Sequence, residues 1–229
     1  MADLGQHTLN INQSNDNHDY AISFHRDALY LLIEGQKQLM ESGGDYFDFD
    51  EEDITGDLTD STNKYINSLS SPEWAIHYRI GEEQRENVKG KKGKHRQRID
   101  IVCILTGRKP HLLIKFEAKR LKKPNFPVRK YVGKTGMGEF ICGNYASESD
   151  TAGMLGYIQS DDCDYWAAQI SIALKSKKEL YLRQDGQWRK TIFENINNCY
   201  ETRHNRQTSN RELLIYHLLF DFVDRRTVK

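Results

Sequence analysis

Two apolar runs of strand length, joined by a short turn, constrain this chain more than anything else in it. Arg98-Ile-Asp100-Ile-Val-Cys-Ile-Leu105 leads into Thr106-Gly-Arg-Lys-Pro110 and then His111-Leu-Leu-Ile-Lys-Phe-Glu117-Ala118-Lys119-Arg120. The Gly and Pro between the runs punctuate a hairpin. Each run carries its polar exception near one end: Asp100 opens the first, and Glu117 and Lys119 close the second. In an antiparallel hairpin the start of one strand lies beside the end of the next, so these residues meet. Strand side chains alternate faces, which puts Glu117 and Lys119 on one side and Ala118 in the opposite layer. Two carboxylates and an ammonium therefore converge at one edge of a greasy hairpin. Carboxylates are hard oxygen ligands, suited to Mg²⁺ or Mn²⁺ and not to a zinc site.

Charge patterning supports a polyanionic partner. The formal net charge is zero, yet residues 41–60 hold nine Asp or Glu and no Lys or Arg, while residues 89–134 hold sixteen Lys or Arg and two acids. Those two acids are Asp100 and Glu117. A basic segment whose carboxylates are the proposed metal ligands suits a surface that binds phosphate backbones. The alternative is a solvated charged face. The loop Lys89-Gly-Lys91-Lys92-Gly-Lys94-His-Arg96-Gln-Arg98 reads as a flexible basic tip able to lie along such a backbone, and Arg120, Lys122 and Lys123 add charge beyond the second strand. The tip has no aromatic residue, which argues against base stacking.

The rest of the chain reads as a single domain over residues 20–229 behind a polar, flexible leader at 1–19. Residues 20–40 allow a helix ended by Ser42-Gly-Gly44. A second helix opens at Glu51-Glu52-Asp53, where the macrodipole favours acids, and carries Ile54, Leu58, Tyr65 and Leu69 on one face. At about 100° per residue, Glu51 falls inside that apolar arc, and Glu52 and Asp53 fall outside it. Trp74, Ile76, Tyr78 and Ile80 alternate as a half-buried strand running on toward Glu86. Tyr131 to Phe140 is a weak helix, Ala152 to Ile158 a strand ending at Gln159, and Tyr165 to Leu174 a helix. Glu179–Arg183 and Gln187–Ile192 flank Asp185-Gly186 as a hairpin. Leu213 to Val223 is an apolar run in which His217 and Asp221 read as satisfied core or edge groups.

Other function classes lose ground. Gly133-Lys-Thr-Gly136-Met-Gly138 lacks P-loop spacing, so no nucleotide cofactor site is expected. The four cysteines have no zinc spacing, and Cys103 reads as a reduced, buried thiol. No apolar run reaches the ~18 residues of a membrane span and no signal-peptide core is present, so a cytoplasmic protein is expected. There is no helix-turn-helix, zinc finger or ATPase motor.

Asp100 followed by Glu117-Ala118-Lys119 at the end of the next strand resembles the PD-(D/E)XK nuclease superfamily, over roughly residues 51–159. The resemblance implies an α/β fold with a restriction-endonuclease-like core, a central mixed β-sheet flanked by helices in the order αβββαβ. It implies an Mg²⁺- or Mn²⁺-dependent deoxyribonuclease that leaves 5′-phosphates, in a bacterial restriction, antiviral defence or DNA-repair setting. Asp100, Glu117 and a backbone carbonyl near Ala118 would hold the metal, Lys119 would orient the attacking water, and Gln159 would contact substrate or water. An acid on the helix before the first strand completes the site in the superfamily, which nominates Glu51, with Glu52 second. Those acids also have a plain reading as complements to the helix dipole. A homodimer or a partner subunit is expected from the need to cut two strands. The competing reading is a catalytically silent nucleic-acid-binding or assembly subunit of the same fold.

Overall fold

The computed structural model describes residues 6–85, 98–107, 109–209 and 211–223, with side chains from residue 18 onward except those of 83–85. The basic tip, with Lys89, Lys91, Lys92, Lys94 and Arg96, lies outside the described residues. The elements are α1 (Gln6–Glu41), α2 (Glu51–Ile66), β1 (Tyr78–Arg85), β2 (Arg98–Leu105), β3 (Leu112–Leu121), α3 (Val128–Tyr131), α4 (Met137–Ile141), β4 (Thr151–Ile158), α5 (Cys163–Ser176), β5 (Arg189–Lys190), β6 (Cys199–Asn205) and β7 (Glu212–Asp221). This is an α/β protein built on one seven-stranded mixed sheet, in the order β1-β2-β3-β4-β7-β6-β5.

The hairpin forms as its sequence dictates, with Leu105 opposite Leu112 and Ile101 opposite Phe116. Parallel pairings then join β3 to β4 and β4 to β7. Strand alternation divides the interior into two apolar cores. Ile101, Cys103, Ile114, Phe116, Ala118, Leu155 and Tyr157 pack under α1 and α2 with Phe24, Leu32, Ile54 and Leu58. Val102, Leu121, Met154 and Ile158 face Tyr131, Met137, Phe140, Trp166 and Ile170 from α3, α4 and α5. Both faces are covered, as parallel strands require.

Several elements differ from expectation. The helix expected from residue 20 begins at Gln6, because no Gly or Pro interrupts the segment up to Gly35. The second helix stops at Ile66, which leaves Leu69 wholly exposed and outside the buried arc. Trp74 to His77 lies in a 3₁₀ turn at Glu73–His77, not in a strand, with the Ala75 amide bonded to the Pro72 carbonyl. Ile76 is therefore exposed while Ala75 is buried within the turn, and strand burial begins at Tyr78 and Ile80. The segment at Tyr131–Phe140 breaks into α3 and α4 around its glycines. The hairpin expected around Asp185-Gly186 is absent: Lys178–Leu180 and Gln184–Gly186 are 3₁₀ turns, and Arg189–Lys190 pairs with β6 instead.

Candidate metal and phosphodiester site

The β2–β3 ladder ends at Ile101 opposite Phe116, and beyond it side chains take the exposed backbone groups of β3. The Ala118 amide donates to Asp100 Oδ2 at 2.6 Å, and the Arg120 amide donates to Glu51 Oε2 at 3.1 Å. Lys119 Nζ donates to Glu51 Oε1 at 2.8 Å, to Glu117 Oε1 at 2.8 Å and to the Ala118 carbonyl at 2.5 Å. The fold thus brings Glu51, Asp100, Glu117, Ala118 and Lys119 to one uncovered strand edge. Glu52 and Asp53 face solvent, and the Ala118 side chain is buried in the opposite layer.

Local sequence explains the placement of Glu51 and Glu117. Glu51 shares the inward stripe of α2 with Ile54 and Leu58, and Thr55 Oγ1 lies 2.9 Å from Tyr157 Oη, which fixes the helix start over β4. Gly153 lies opposite Phe116, where a Cβ would stand 2.0 Å from the ring, so β4 admits that ring directly before Glu117.

Burial dominates the electrostatics. Glu117 is 5% exposed, and its Oε2 is buried without a hydrogen-bond partner. Desolvation, then the charge of Asp100, pushes its carboxyl up to about 8 against the pull of Lys119. Asp100 is pushed up to about 6, chiefly by burial, with Lys119 and the Ala118 amide opposing. Burial alone would depress Lys119, but Glu117, Glu51 and Asp100 outweigh it and hold the ammonium above its ordinary range. An orphaned, desolvated carboxylate oxygen beside two further acids and a backbone carbonyl is an all-oxygen donor set that fits Mg²⁺ or Mn²⁺. Among the described residues, no three His, Cys, Asp or Glu side chains are preassembled around a common metal position; Lys119 stands between Glu51 and Glu117.

The remaining nominated residues fall elsewhere. Gln159 is fully buried, which corrects its assignment as a substrate contact. Its amide donates to the carbonyls of Tyr46 at 2.6 Å and Phe49 at 3.0 Å and accepts from Arg120 Nε at 2.7 Å. Arg120 and Lys122 are covered by Asp50 and Asp48, Lys123 pairs with Asp161, and Arg98 is exposed on β2. Reading the sequence for cations alone missed those carboxylate partners, although the acid-only run at 41–60 was the available signal. His217 is buried between Tyr131 and Thr202, as expected of a satisfied core group. A cleft of about 640 Å³ between α1 and the start of β7, lined by His25, Arg203, Arg211 and Tyr216, lies away from this edge.

Among the described residues no helix is long and apolar enough to cross a membrane. No protein-family model, no curated protein and no solved structure matches the chain, so the functional reading rests on this geometry and on the motif.

Proposed function

We propose that this chain is an Mg²⁺- or Mn²⁺-dependent phosphodiester hydrolase acting on DNA, of the PD-(D/E)XK type. The observation that carries the reading is the convergence of Glu51, Asp100, Glu117 and Lys119 at the uncovered edge of β3, with Glu117 Oε2 buried and unpartnered. The succession α2, β1, β2, β3, then the two short helices α3 and α4, then β4 is compatible with the expected αβββαβ order. Asp100, Glu117, Glu51 and the Ala118 carbonyl would hold the metal. A bound divalent cation supplies Lewis acidity toward a phosphoryl oxygen and lowers the pKa of a coordinated water. Lys119 stays an ammonium at neutral pH, so it acts as a donor and charge stabiliser, not as a base. Burial of Glu117 excludes bulk water from one side of the reacting centre. The setting proposed with this chemistry is bacterial restriction, antiviral defence or DNA repair, as a homodimer or with a partner subunit.

The test is plasmid cleavage with Mg²⁺, with EDTA, and with Glu117→Ala at matched folding. We expect nicking or linearisation that requires both metal and Glu117, with a loss of at least ~10²-fold in the variant. A catalytically silent nucleic-acid-binding subunit is favoured by one observation: Lys119 already supplies an internal counter-charge to Glu51 and Glu117. Salt-sensitive DNA binding without cleavage in Mg²⁺ or Mn²⁺ would select that reading.

A further inference from the structure

The acid-only run and the basic segment are distant in sequence, and the fold lays one on the other. Outside the Lys119–Glu51 pair, Arg120 Nη1 meets Asp50 Oδ1 at 2.7 Å and Lys122 Nζ meets Asp48 Oδ1 at 2.5 Å. The acids run backward along the chain as the cations run forward. Their burial is lopsided: the side chains of Arg120 and Lys122 are 9% and 13% exposed, whereas those of Asp50 and Asp48 are 80% and 83% exposed.

The cations are therefore built into the protein, and the carboxylates cover them from the solvent side. Arg120 lies 4.1 Å over the Phe126 ring, and Lys122 lies 3.6 Å over the Phe47 ring. Lys122 also donates to the Phe47 carbonyl at 2.8 Å. The acidic strap is anchored without using Asp48 or Asp50, because Gln159 bonds the carbonyls of Tyr46 and Phe49 and Tyr46 itself is buried. Asp50 precedes α2 but makes no side-chain capping bond there. Asp48 and Asp50 can thus turn into water without unfolding the segment. A pair with so exposed a partner holds weakly, and salt weakens it further.

The geometry points to a phosphate track gated by the chain's own carboxylates: Arg120 and Lys122, with Lys123 beside them, receive successive phosphates of a polyanionic backbone when Asp50 and Asp48 swing away. Asp48 and Asp50 hold the positions that phosphate oxygens would take, as acceptors of charge-assisted hydrogen bonds. Lys123 repeats the pattern, half exposed, paired with Asp161 at 2.8 Å and lying 3.7 Å over the Tyr165 ring. A lone anion displaces one acid at a time, whereas a backbone offering linked phosphates displaces both, so the gate selects for polyanions. That the natural polyanion is DNA rests on the nuclease reading; the gate itself does not.

The experiment measures binding of a short DNA duplex, and separately of inorganic tripolyphosphate, in EDTA. The proteins are the parent, Asp48→Asn, and Asp48→Asn with Asp50→Asn, substitutions on exposed side chains that keep the strap anchors. We expect both ligands to bind the double variant about tenfold more tightly at low salt, the scale of releasing two exposed pairs. The single variant should fall between, and adding Lys122→Gln should return binding toward the parent's. The slope of log K against log salt for the duplex should steepen by about 0.9 for each further phosphate that the protein neutralises. Unchanged or weaker tripolyphosphate binding in both variants would overturn the gate. Duplex bound equally by all three proteins, with tripolyphosphate unchanged, would discard the gate and leave the nuclease reading standing. Tighter tripolyphosphate with no duplex bound by any protein would keep the gate as an anion site and remove duplex DNA as its polyanion, leaving the nuclease reading to the cleavage assay.

Discussion

Among single residues, the site is defined by carboxylates kept out of water. Glu117 and Asp100 ordinarily titrate near 4.5 and 3.8, and the fold raises them to about 8 and about 6. Because the folded state holds these protons more tightly than the unfolded chain, the stability they contribute is full below about pH 4 and is lost as pH rises through 6 and 8. Lys119 remains charged across this window and does not alter the slope. Glu117→Gln keeps the volume and removes the ionisation. In EDTA, urea melts of the variant should flatten between pH 6 and 8, and the variant should be more stable than the parent at pH 8 by on the order of a few kcal/mol, at ~1.4 kcal/mol per pKa unit. A steeper alkaline loss in the variant would mean that Glu117 is not the strained group. That Glu51, and not Glu52, turns inward to Lys119 was legible in helix phase, because one residue is a rotation of about 100° and moves a side chain from the inward face to solvent.

Elements hold those residues to a strand edge by close packing. The Phe116 ring fills the space left by Gly153, one residue before Glu117. Gly153→Ala forces the ring or the strand to move and should cost about 1–3 kcal/mol in urea unfolding. It should also lower turnover by displacing Glu117. Equal stability and activity in the variant would show that β4 yields locally. The hairpin β2–β3 was readable because its two apolar runs and turn are local. The 3₁₀ turn at Glu73–His77 was not, because Trp74 and Ile76 satisfy strand alternation while Pro72 starts a turn that the pattern does not register. The broken hairpin at Asp185-Gly186 failed for a related reason. Arg183 and Asn205 donate their backbone amides to the carbonyls of Arg203 and Tyr181, so β6 takes the place of the expected partner strand.

Across the whole molecule, buried imidazoles oppose the buried carboxylates. His25 and His204 are lowered to about 4 and His217 well below 6.5, each chiefly by desolvation. His204 is held by the Leu180 carbonyl and Thr202, His217 by Thr202 and Tyr131, and His25 by Thr151. A lowered base contributes stability above about pH 6.5 that is lost as pH falls toward 4, the reverse of the carboxylate slope. In EDTA the folded state should therefore be most stable near pH 6.5, falling on both sides. A divalent cation should flatten the alkaline limb alone. Thermal melts across pH 4.5 to 8.5, with and without Mg²⁺, check this; an alkaline limb indifferent to Mg²⁺ and Mn²⁺ would count against metal binding at Glu117.

The β2–β3 hairpin, the α2 stripe that carries Glu51, and the meeting of Asp100 with Glu117 and Lys119 were all encoded locally. Each follows from the fixed periods of strand and helix acting over a few residues. Where the basic segment finds its counter-charges was settled by tertiary packing instead. Asp48 and Asp50 reach Lys122 and Arg120 across some seventy positions of chain, and Gln159, a plausible surface amide at the end of a strand, becomes the buried anchor of that strap. No local period encodes such pairings, because they depend on which sheet edge remains uncovered once β3 and β4 have paired in parallel.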